Sequence, residues 1–505
     1  MAKAKKISLS HHLGALTTMR GQASDLGSNW FLTRNLNFTR DYLDAIQKII
    51  SDEIRRVAGK YLVGDNLTIT SLNPKRGAAA TNEHSPAISA GEIQKIELSN
   101  GLRLLIREDP RLPLVSMAAV FRGGLLAETR DTNGITRLMA KTLLKGTKTR
   151  TAEQIADTIE AVGGSIGSDA GNNSFSLAVD VTQPDLRLGI DALADVLLNA
   201  TMPDPAVERE RDVQLAGIKE DEEQLTTVAR NILREALFRD HPYALRGKGS
   251  ADSVAKLTRK QLLAFRDRYL VARNGVISVF GNVKAAEVRE LFENALGKMK
   301  AGELALTDAA QPEPLPTILT VESLKEKAQC VLMVGFRGAD IFSEDRSALE
   351  LIDEASSDLG SRFFVRIREE MGLAYFVGAS QMQGLVRGLF LFYLGTDPQK
   401  IEPVKAALLE EIGKLATEGL SDEELARAKK KLIGQQQIAN QSNDSFGYMA
   451  ALDELYGLGF DHYKALERDV ARVTAEEVRR VAAKYFLNQP YVLALVRPAV
   501  KALQR

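Results

Sequence analysis

The sequence predicts an α+β fold of two homologous units, preceded by part of a third, and three observations carry that prediction. First, Glu53-Ile54-Arg55-Arg56-Val57-Ala58-Gly59-Lys60-Tyr61-Leu62 recurs near the other end of the chain as Glu477-Val478-Arg479-Arg480-Val481-Ala482-Ala483-Lys484-Tyr485-Phe486, and a third version runs from Gln261 to Leu270. Second, the strand-like run from Val115 to Gly124, with Phe121-Arg122-Gly123, recurs at Cys330 to Gly338 as Phe336-Arg337-Gly338. The shift from Phe121 to Phe336 is nearly the shift from Tyr269 to Tyr485. Two landmarks sharing nearly one period mark a duplication. Third, strand and helix signals alternate irregularly and include hairpins, which argues α+β with a mixed, mostly antiparallel sheet.

The elements follow in chain order. Residues 1–75 hold one copy of the repeated helix and read as the orphan tail of a preceding unit; residues 76–91, rich in Ala, Ser and Gly, read as a linker. The first unit, 92–300, opens with spaced apolar residues from Ile93 to Ile106 around Asn100-Gly101, a hairpin signal. Thr151-Ala152-Glu153-Gln154 is a capping box, and Gly163-Gly164 stops its helix. Asn173 to Val181 reads as a strand, as does Gly275 to Asn282. Residues 301–316, with Pro312, Pro314 and Pro316, form an extended spacer. The second unit, 317–500, repeats the scheme: strands at Cys330 to Gly338 and Leu389 to Leu394, and helix starts at Ser421-Asp422-Glu423-Glu424 and Thr474-Ala475-Glu476-Glu477.

Composition excludes several function classes. Lys+Arg and Asp+Glu both total 66, so no net charge draws the chain to nucleic acid or an anionic membrane. The longest weakly charged stretch, Gly372 to Val386, is too short and too polar to span a bilayer. Cys330 is the single cysteine, so no intrachain disulfide forms, and its apolar surroundings predict a buried strand position. The basic N-terminus runs into Ser and His rather than an apolar segment, so no signal peptide is visible; a periplasmic location would need a different N-terminus, and the chain as it stands would be cytoplasmic.

The chemistry centres on Asn133-Gly134-Ile135-Thr136-Arg137-Leu138-Met139-Ala140-Lys141-Thr142-Leu143-Leu144-Lys145-Gly146-Thr147, a helix after the strand end Phe121-Arg122-Gly123-Gly124-Leu125. Strand, Gly pair, loop, helix and Leu-Lys-Gly-Thr resemble the frame in which the pitrilysin/insulinase family of zinc peptidases carries its inverted motif, His-x-x-Glu-His. On that pattern the first His falls on Arg137, the Glu on Ala140 and the second His on Lys141. The family's third ligand, a Glu well downstream of the second His, falls on Gly217. Zinc needs lone pairs at about 2 Å. Arg137 offers none, Lys141 only after losing its proton, and Ala140 and Gly217 have no donor side chain. The metal ligand and base positions are therefore all substituted, and no zinc or other cofactor is expected on this chain.

The resemblance spans nearly the whole chain and includes Asp240-His241-Pro242-Tyr243 with Gly247-Lys248-Gly249-Ser250. It is nearest to bacterial two-domain subunits similar to the mitochondrial processing peptidase, in which a zinc-bearing subunit and a partner without ligands enclose a peptide chamber. It implies a zinc-bearing partner, as a separate subunit or as the upstream half of one polypeptide, and unfolded or short peptides as substrate. It also implies a role for Arg368 and Tyr375, the two ends of Arg368-Glu369-Glu370-Met371-Gly372-Leu373-Ala374-Tyr375. In the inactive partner of that group such a pair hydrogen-bonds a substrate carbonyl. Gly372 suits a left-handed cap that turns the chain between them. A purely structural reading of the pair, an Arg favoured in a last helical turn and a core Tyr, stays beside it.

Other candidates are weaker. His11, His12, His84, His241 and His462 show no metal-ligand spacing. His241, before Pro242, reads as a turn residue. Glu220-Asp221-Glu222-Glu223 reads as a solvated helix face. Gly163-Gly164-Ser165-Ile166-Gly167 has neither the preceding strand nor the following Lys of a phosphate loop. The strand Asn173 to Val181 is the candidate sheet edge for peptide addition. The rival functional class is a structural or peptide-binding subunit with no peptidase partner, like the core subunits of the respiratory bc1 complex.

Overall fold

The computed structural model describes Lys5, residues 19–63 and residues 90–499. The chain divides into two compact units, Met1–Ala87 and Ile88–Arg505. In the first, three helices are described: α1 (Met19–Thr33), α2 (Phe38–Lys48) and α3 (Ser51–Tyr61). Asn29 of α1 and Thr39 of α2 are buried and hydrogen-bonded at 2.9 Å, and Asp25 accepts from Thr39 as well. The apolar side chains Trp30, Phe31, Ile54, Val57 and Leu62 are exposed.

The second unit contains two sheets. The first consists of β1 (Gln94–Glu97), β2 (Arg103–Glu108), β3 (Leu114–Arg122), β4 (Ser165–Ala170), β5 (Ser174–Thr182) and β6 (Gly275–Gly281), in the order β1-β2-β6-β3-β5-β4. Its segment also supplies α4 (Ile135–Leu143), α5 (Ala152–Glu160), α6 (Leu186–Asn199), α7 (Asp204–Glu223), α8 (Leu225–Phe238), α9 (Ala251–Lys256), α10 (Arg259–Tyr269) and α11 (Ala285–Leu296). The second sheet has β7 (Leu319–Lys325), β8 (Cys330–Arg337), β9 (Phe376–Met382), β10 (Leu389–Thr396) and β11 (Val492–Pro498), ordered β7-β11-β8-β10-β9. With it come α12 (Arg346–Ser356), α13 (Ile401–Glu418), α14 (Asp422–Ala439), α15 (Asn443–Tyr456), α16 (Tyr463–Arg472) and α17 (Ala475–Phe486).

Local chemistry sets these elements where the sequence expects them. Glu97 pairs with Arg103 across the hairpin, and Gly101 takes φ +86° in its turn. Thr151 and Ser421 form reciprocal capping boxes with Gln154 and Glu424, and the Thr474 hydroxyl accepts from the Glu477 amide. Gly163, at φ +71°, ends the turn after α5. The α+β class and the mixed, mostly antiparallel sheets are as expected. The order β2-β6-β3-β5-β4 repeats as β7-β11-β8-β10-β9, with the first pair parallel and the rest antiparallel in both. Register repeats too, since Phe121 stands opposite Phe175 as Phe336 stands opposite Phe390.

Each sheet packs its own helices on one face and borrows a helix for the other. Leu233, Leu237 and Phe238 of α8, from the first half, pack on Val331, Met333 and Val492 of the second sheet. Phe446, Ala450 and Leu455 of α15, from the second half, pack on Leu105, Val120 and Phe280 of the first. Both crossings need a missing side chain. A Cβ on Gly335 of β8 would stand 2.6 Å from a Leu233 methyl, and one on Gly447 of α15 would press on Ser278 at 3.0 Å. The spacer 301–316 carries no helix or strand and is strapped down rather than loose: Arg239 donates to the Pro314 carbonyl, Arg337 to Glu313, and His241 meets Ala310. No described helix is long and apolar enough to cross a membrane.

Candidate functional site

The helix singled out by the sequence is α4. Gly124, at φ +70°, ends the approach from β3 so tightly that a Cβ would collide with the Gly171 carbonyl. Glu128, buried after this turn, then organises the helix start. Its carboxylate accepts from the amides of Gly134 (2.8 Å) and Thr136 (3.1 Å) and from Asn133 Nδ2 (2.8 Å). The two amides are backbone donors of the kind that a helix N-terminus leaves unpaired. Burial pushes the Glu128 carboxyl upward while the donors oppose the shift. Gly134, at φ +94°, sits under Gln214, the Lys248 carbonyl and Val254, each 2.8 Å from where a Cβ would be. Gln214 Nε2, on α7, donates to the carbonyls of Gly134 and Lys248.

The four substituted positions are thus held on two packed helices, α4 and α7. Ala140 is fully buried in the core. Arg137 lies 3.8 Å from the Asp169 carboxylate, and Lys141 Nζ donates to the Ser168 carbonyl. Both partners are on β4, so the two cations tie the helix to an edge strand. Beside Gly217 lies Lys248, whose Nζ reaches the Gly217 carbonyl at 3.3 Å and Asp221 at 2.7 Å. A guanidinium, a methyl group, an ammonium and a glycine, with a second ammonium beside the glycine, do not fit a zinc ion. Among the described residues no three His, Cys, Asp or Glu side chains gather where a metal could be held.

Arg368 and Tyr375 flank a turn in the second half. Phe364–Glu370 is a π-helix, and the Arg368 guanidinium stacks over the Phe364 ring at 4.7 Å. Gly372 takes φ +62°, the left-handed conformation its position calls for. The turn is fixed by Lys400 donating to the Gly372 carbonyl and Thr396 to that of Leu373. Tyr375 then enters β9, its amide bonded to Gly395. Both side chains are exposed, so Tyr375 is not the core residue of the structural reading. No hydrogen bond to either side chain is found among the described residues. Burial, then Asp397, raises the Tyr375 phenol, so it stays a proton donor at neutral pH.

Other sequence candidates resolve into structure. His241 caps the turn before Tyr243, its Nδ1 accepting from the Tyr243 amide. His462 receives a hydrogen bond from Arg346 and is pushed downward by burial and that cation. Cys330 is buried in β8 and pushed up to about 11, chiefly by burial. His11, His12 and His84 lie outside the described residues. Two readings need correction. Asn173 to Val181 is not an edge: β5 pairs with β3 on one side and β4 on the other, and β4 is the edge. The run Glu220 to Glu223 is not simply solvated, because Asp221 pairs with Lys248 and Glu222 with Arg246 and Lys325. Glu128 and Lys248 escape the sequence reading. The only signal for Glu128 is an acidic residue in the loop ahead of a helix that has no Ser, Thr or Asp at its cap.

Comparison with known proteins bears on family and fold. Residues 103–247 match the insulinase (peptidase family M16) profile and residues 256–432 the peptidase M16 inactive domain. The chain is similar to an uncharacterized zinc protease of Mycobacterium leprae, 30% identical over 434 residues, covering 84% of this chain and 96% of that one. It is also similar to one of Bacillus subtilis, 25% identical over 410 residues and covering 81% and 98%. A solved peptidase M16 inactive domain from Pseudomonas fluorescens superposes with a TM-score of 0.75 at 23% identity, covering 81% of this chain and 98% of its own. A subunit of complex III2 from Candida albicans shares the fold with a TM-score of 0.69 at 15% identity, covering 80% and 96%.

Proposed function

Because the chain belongs to the insulinase family, peptidase family M16, we propose that it is a non-catalytic half of a zinc-dependent metalloendopeptidase. It forms one side of the peptide chamber, joins a zinc-bearing partner or upstream half, and presents Arg368 and Tyr375 to unfolded or short peptides held there. One observation carries this reading. The positions that would bind and activate metal hold no donor and tie α4 to β4 instead, whereas Arg368 and Tyr375 are exposed and have no hydrogen-bond partner among the described residues. A guanidinium and a protonated phenol both donate, so together they suit a carbonyl oxygen and the negative charge that grows on it during cleavage. The Phe364 ring fixes one face of the guanidinium and leaves its N–H edge open.

The test measures zinc content and peptide cleavage for the purified chain, alone and with a zinc-bearing partner. Substoichiometric zinc and no cleavage alone, with cleavage on adding the partner, is the expected result. Stoichiometric zinc with EDTA-sensitive cleavage by the chain alone would sink the reading. A second reading, a structural subunit without a peptidase partner, has the complex III2 neighbour's fold in its favour. Stable association with a membrane complex, and no gain of cleavage with any zinc-bearing relative, would select it.

A further inference from the structure

The helices α1, α2 and α3 repeat as α15, α16 and α17, in the same order and with nearly the same lengths. The single shift that carries Glu53 onto Glu477 superposes all three pairs. The two triplets nonetheless differ in what covers them. Val478, Val481 and Phe486 of α17 are 0%, 0% and 5% exposed, while their counterparts Ile54, Val57 and Leu62 are 50%, 42% and 84% exposed. Ala450 and Leu455 of α15 are buried, while Leu26 and Phe31 at the matching places of α1 are exposed. The apolar face of α17 is kept in α3 without its cover; that of α15 is kept in α1 only in part, with Leu26 and Phe31 at the places of Ala450 and Leu455 but Gln22 and Ala23 at those of Phe446 and Gly447.

The burial of the later triplet shows what the earlier one fits. α17 packs on the second sheet's helical core, against residues such as Leu332 and Phe336. α15 crosses to the outer face of the first sheet. A triplet of this kind therefore closes two sheets at once, and only a two-sheet body of this same fold offers both surfaces in the right relation. In residues 88–505 both places are already filled by α15 and α17. A second copy of the chain would present the same filled places.

We propose that α1–α3 are a docking surface for a two-sheet body of the peptidase fold that lacks its own last three helices. The Leu26/Phe31 face covers the outer side of that body's first sheet, and the Ile54/Val57/Leu62 face covers the core of its second. This inference rests on the repeat and its burial, not on Arg368 or Tyr375, so either can fail without the other.

Trp30 is the chain's single tryptophan and lies half-exposed on α1, which makes docking visible. The tagged full chain would be co-expressed with residues 88–505 of the same sequence in which 443–486 are replaced by a Gly/Ser linker, a tryptophan-free body that lacks α15–α17 and keeps β11, and separately with the Mycobacterium leprae relative altered in the same way. One-to-one recovery of at least one body is expected. Where the body is the tryptophan-free one, Trp30 emission should shift to the blue, and amide exchange in α1 and α3 should slow by about tenfold or more. The Ile54→Ser/Val57→Ser/Leu62→Ser variant should lose all of this and keep the melting transition of residues 88–505. Recovery of neither body, or undiminished recovery by the triple variant, would overturn the proposal. So would a dimer of the full chain alone that the triple variant abolishes, since it would put a second copy on this face.

Discussion

The two sheets hold their edge strands by opposite chemistry. In the first half, Arg137 and Lys141 of α4 reach Asp169 and the Ser168 carbonyl on β4. In the second half, the equivalent helix α12 ends at Ser357, which donates to the Ala379 carbonyl of β9 and accepts from the Ala379 amide. Asp353 lies half-buried beside it and accepts from the Gln381 amide. One junction is made by long cations, the other by short polar groups. The two cations stand at the positions to which the family resemblance assigns the metal ligands, and in the structure they hold α4 to β4. The second half ties β9 through Ser357 and Asp353 and leaves Arg368 and Tyr375 exposed at the entry to that strand. A duplicated frame can thus divide its labour without changing strand order.

Four experiments would break or sharpen that contrast. The largest effect is expected from Glu128→Ala, which strips three donors at the start of α4 of their acceptor and should cost about 4 kcal/mol in denaturant unfolding. A loss below about 1 kcal/mol would mean that α4 is positioned by something else. Next comes Arg368→Ala, which should lower partner-dependent peptide turnover about 10²-fold, or roughly 2.7 kcal/mol, with thermal stability unchanged. An unchanged turnover would demote the pair to scaffold.

Asp353 supplies the pH test. Burial, with help from Glu354 and Glu350, pushes it from 3.8 up to about 6. A carboxyl raised on folding contributes stability below its unfolded value that is lost as pH rises through the folded one. The stability that Asp353 contributes should therefore decline between about pH 4 and 6, alongside that of Asp453, which burial also pushes up to about 6, so Asp353→Asn should flatten the wild type's decline and gain about 2 kcal/mol above pH 6. A parallel pair of pH curves would count against a carboxyl raised by its place between α12 and β9. Smallest is Lys141→Ala: about 1 kcal/mol, read as faster amide exchange confined to β4, with partner-dependent turnover intact. Loss of turnover there would mean that α4 still serves the chemistry.

Much of this is legible in the chain itself. Hairpin and cap signals are local, so Asn100-Gly101, Thr151 and Ser421 mark their turns and helix starts. The duplicated Phe-Arg-Gly strands carry the repeat because register depends on side chains that recur with it. At the positions to which the resemblance assigns metal ligands, the residue types Arg137, Ala140 and Gly217 are readable as chemistry, since a side chain that offers no lone pair needs no structure to show it. What fails is whatever depends on a neighbour. The edge strand β4, Ser165 to Ala170, is short, small and polar, so it reads like a glycine loop and its better-patterned neighbour β5 looks like the edge. Lys248 is remote in sequence from the Gly217 it covers. The apolar faces of α8 and α15 announce burial, but nothing in an amphipathic helix says which sheet it will choose.

That choice of sheet governs how residues 88–505 come apart. Pull α8 or α15 from its seat and the damage lands in the opposite half, which loses its outer apolar cover at once. Neither half can loosen privately. A body of this size would ordinarily melt in stages, sheet by sheet; this one is laced so that its heat-capacity trace should show one sharp peak, and severing the strap at 301–316 should leave two fragments that still cling together.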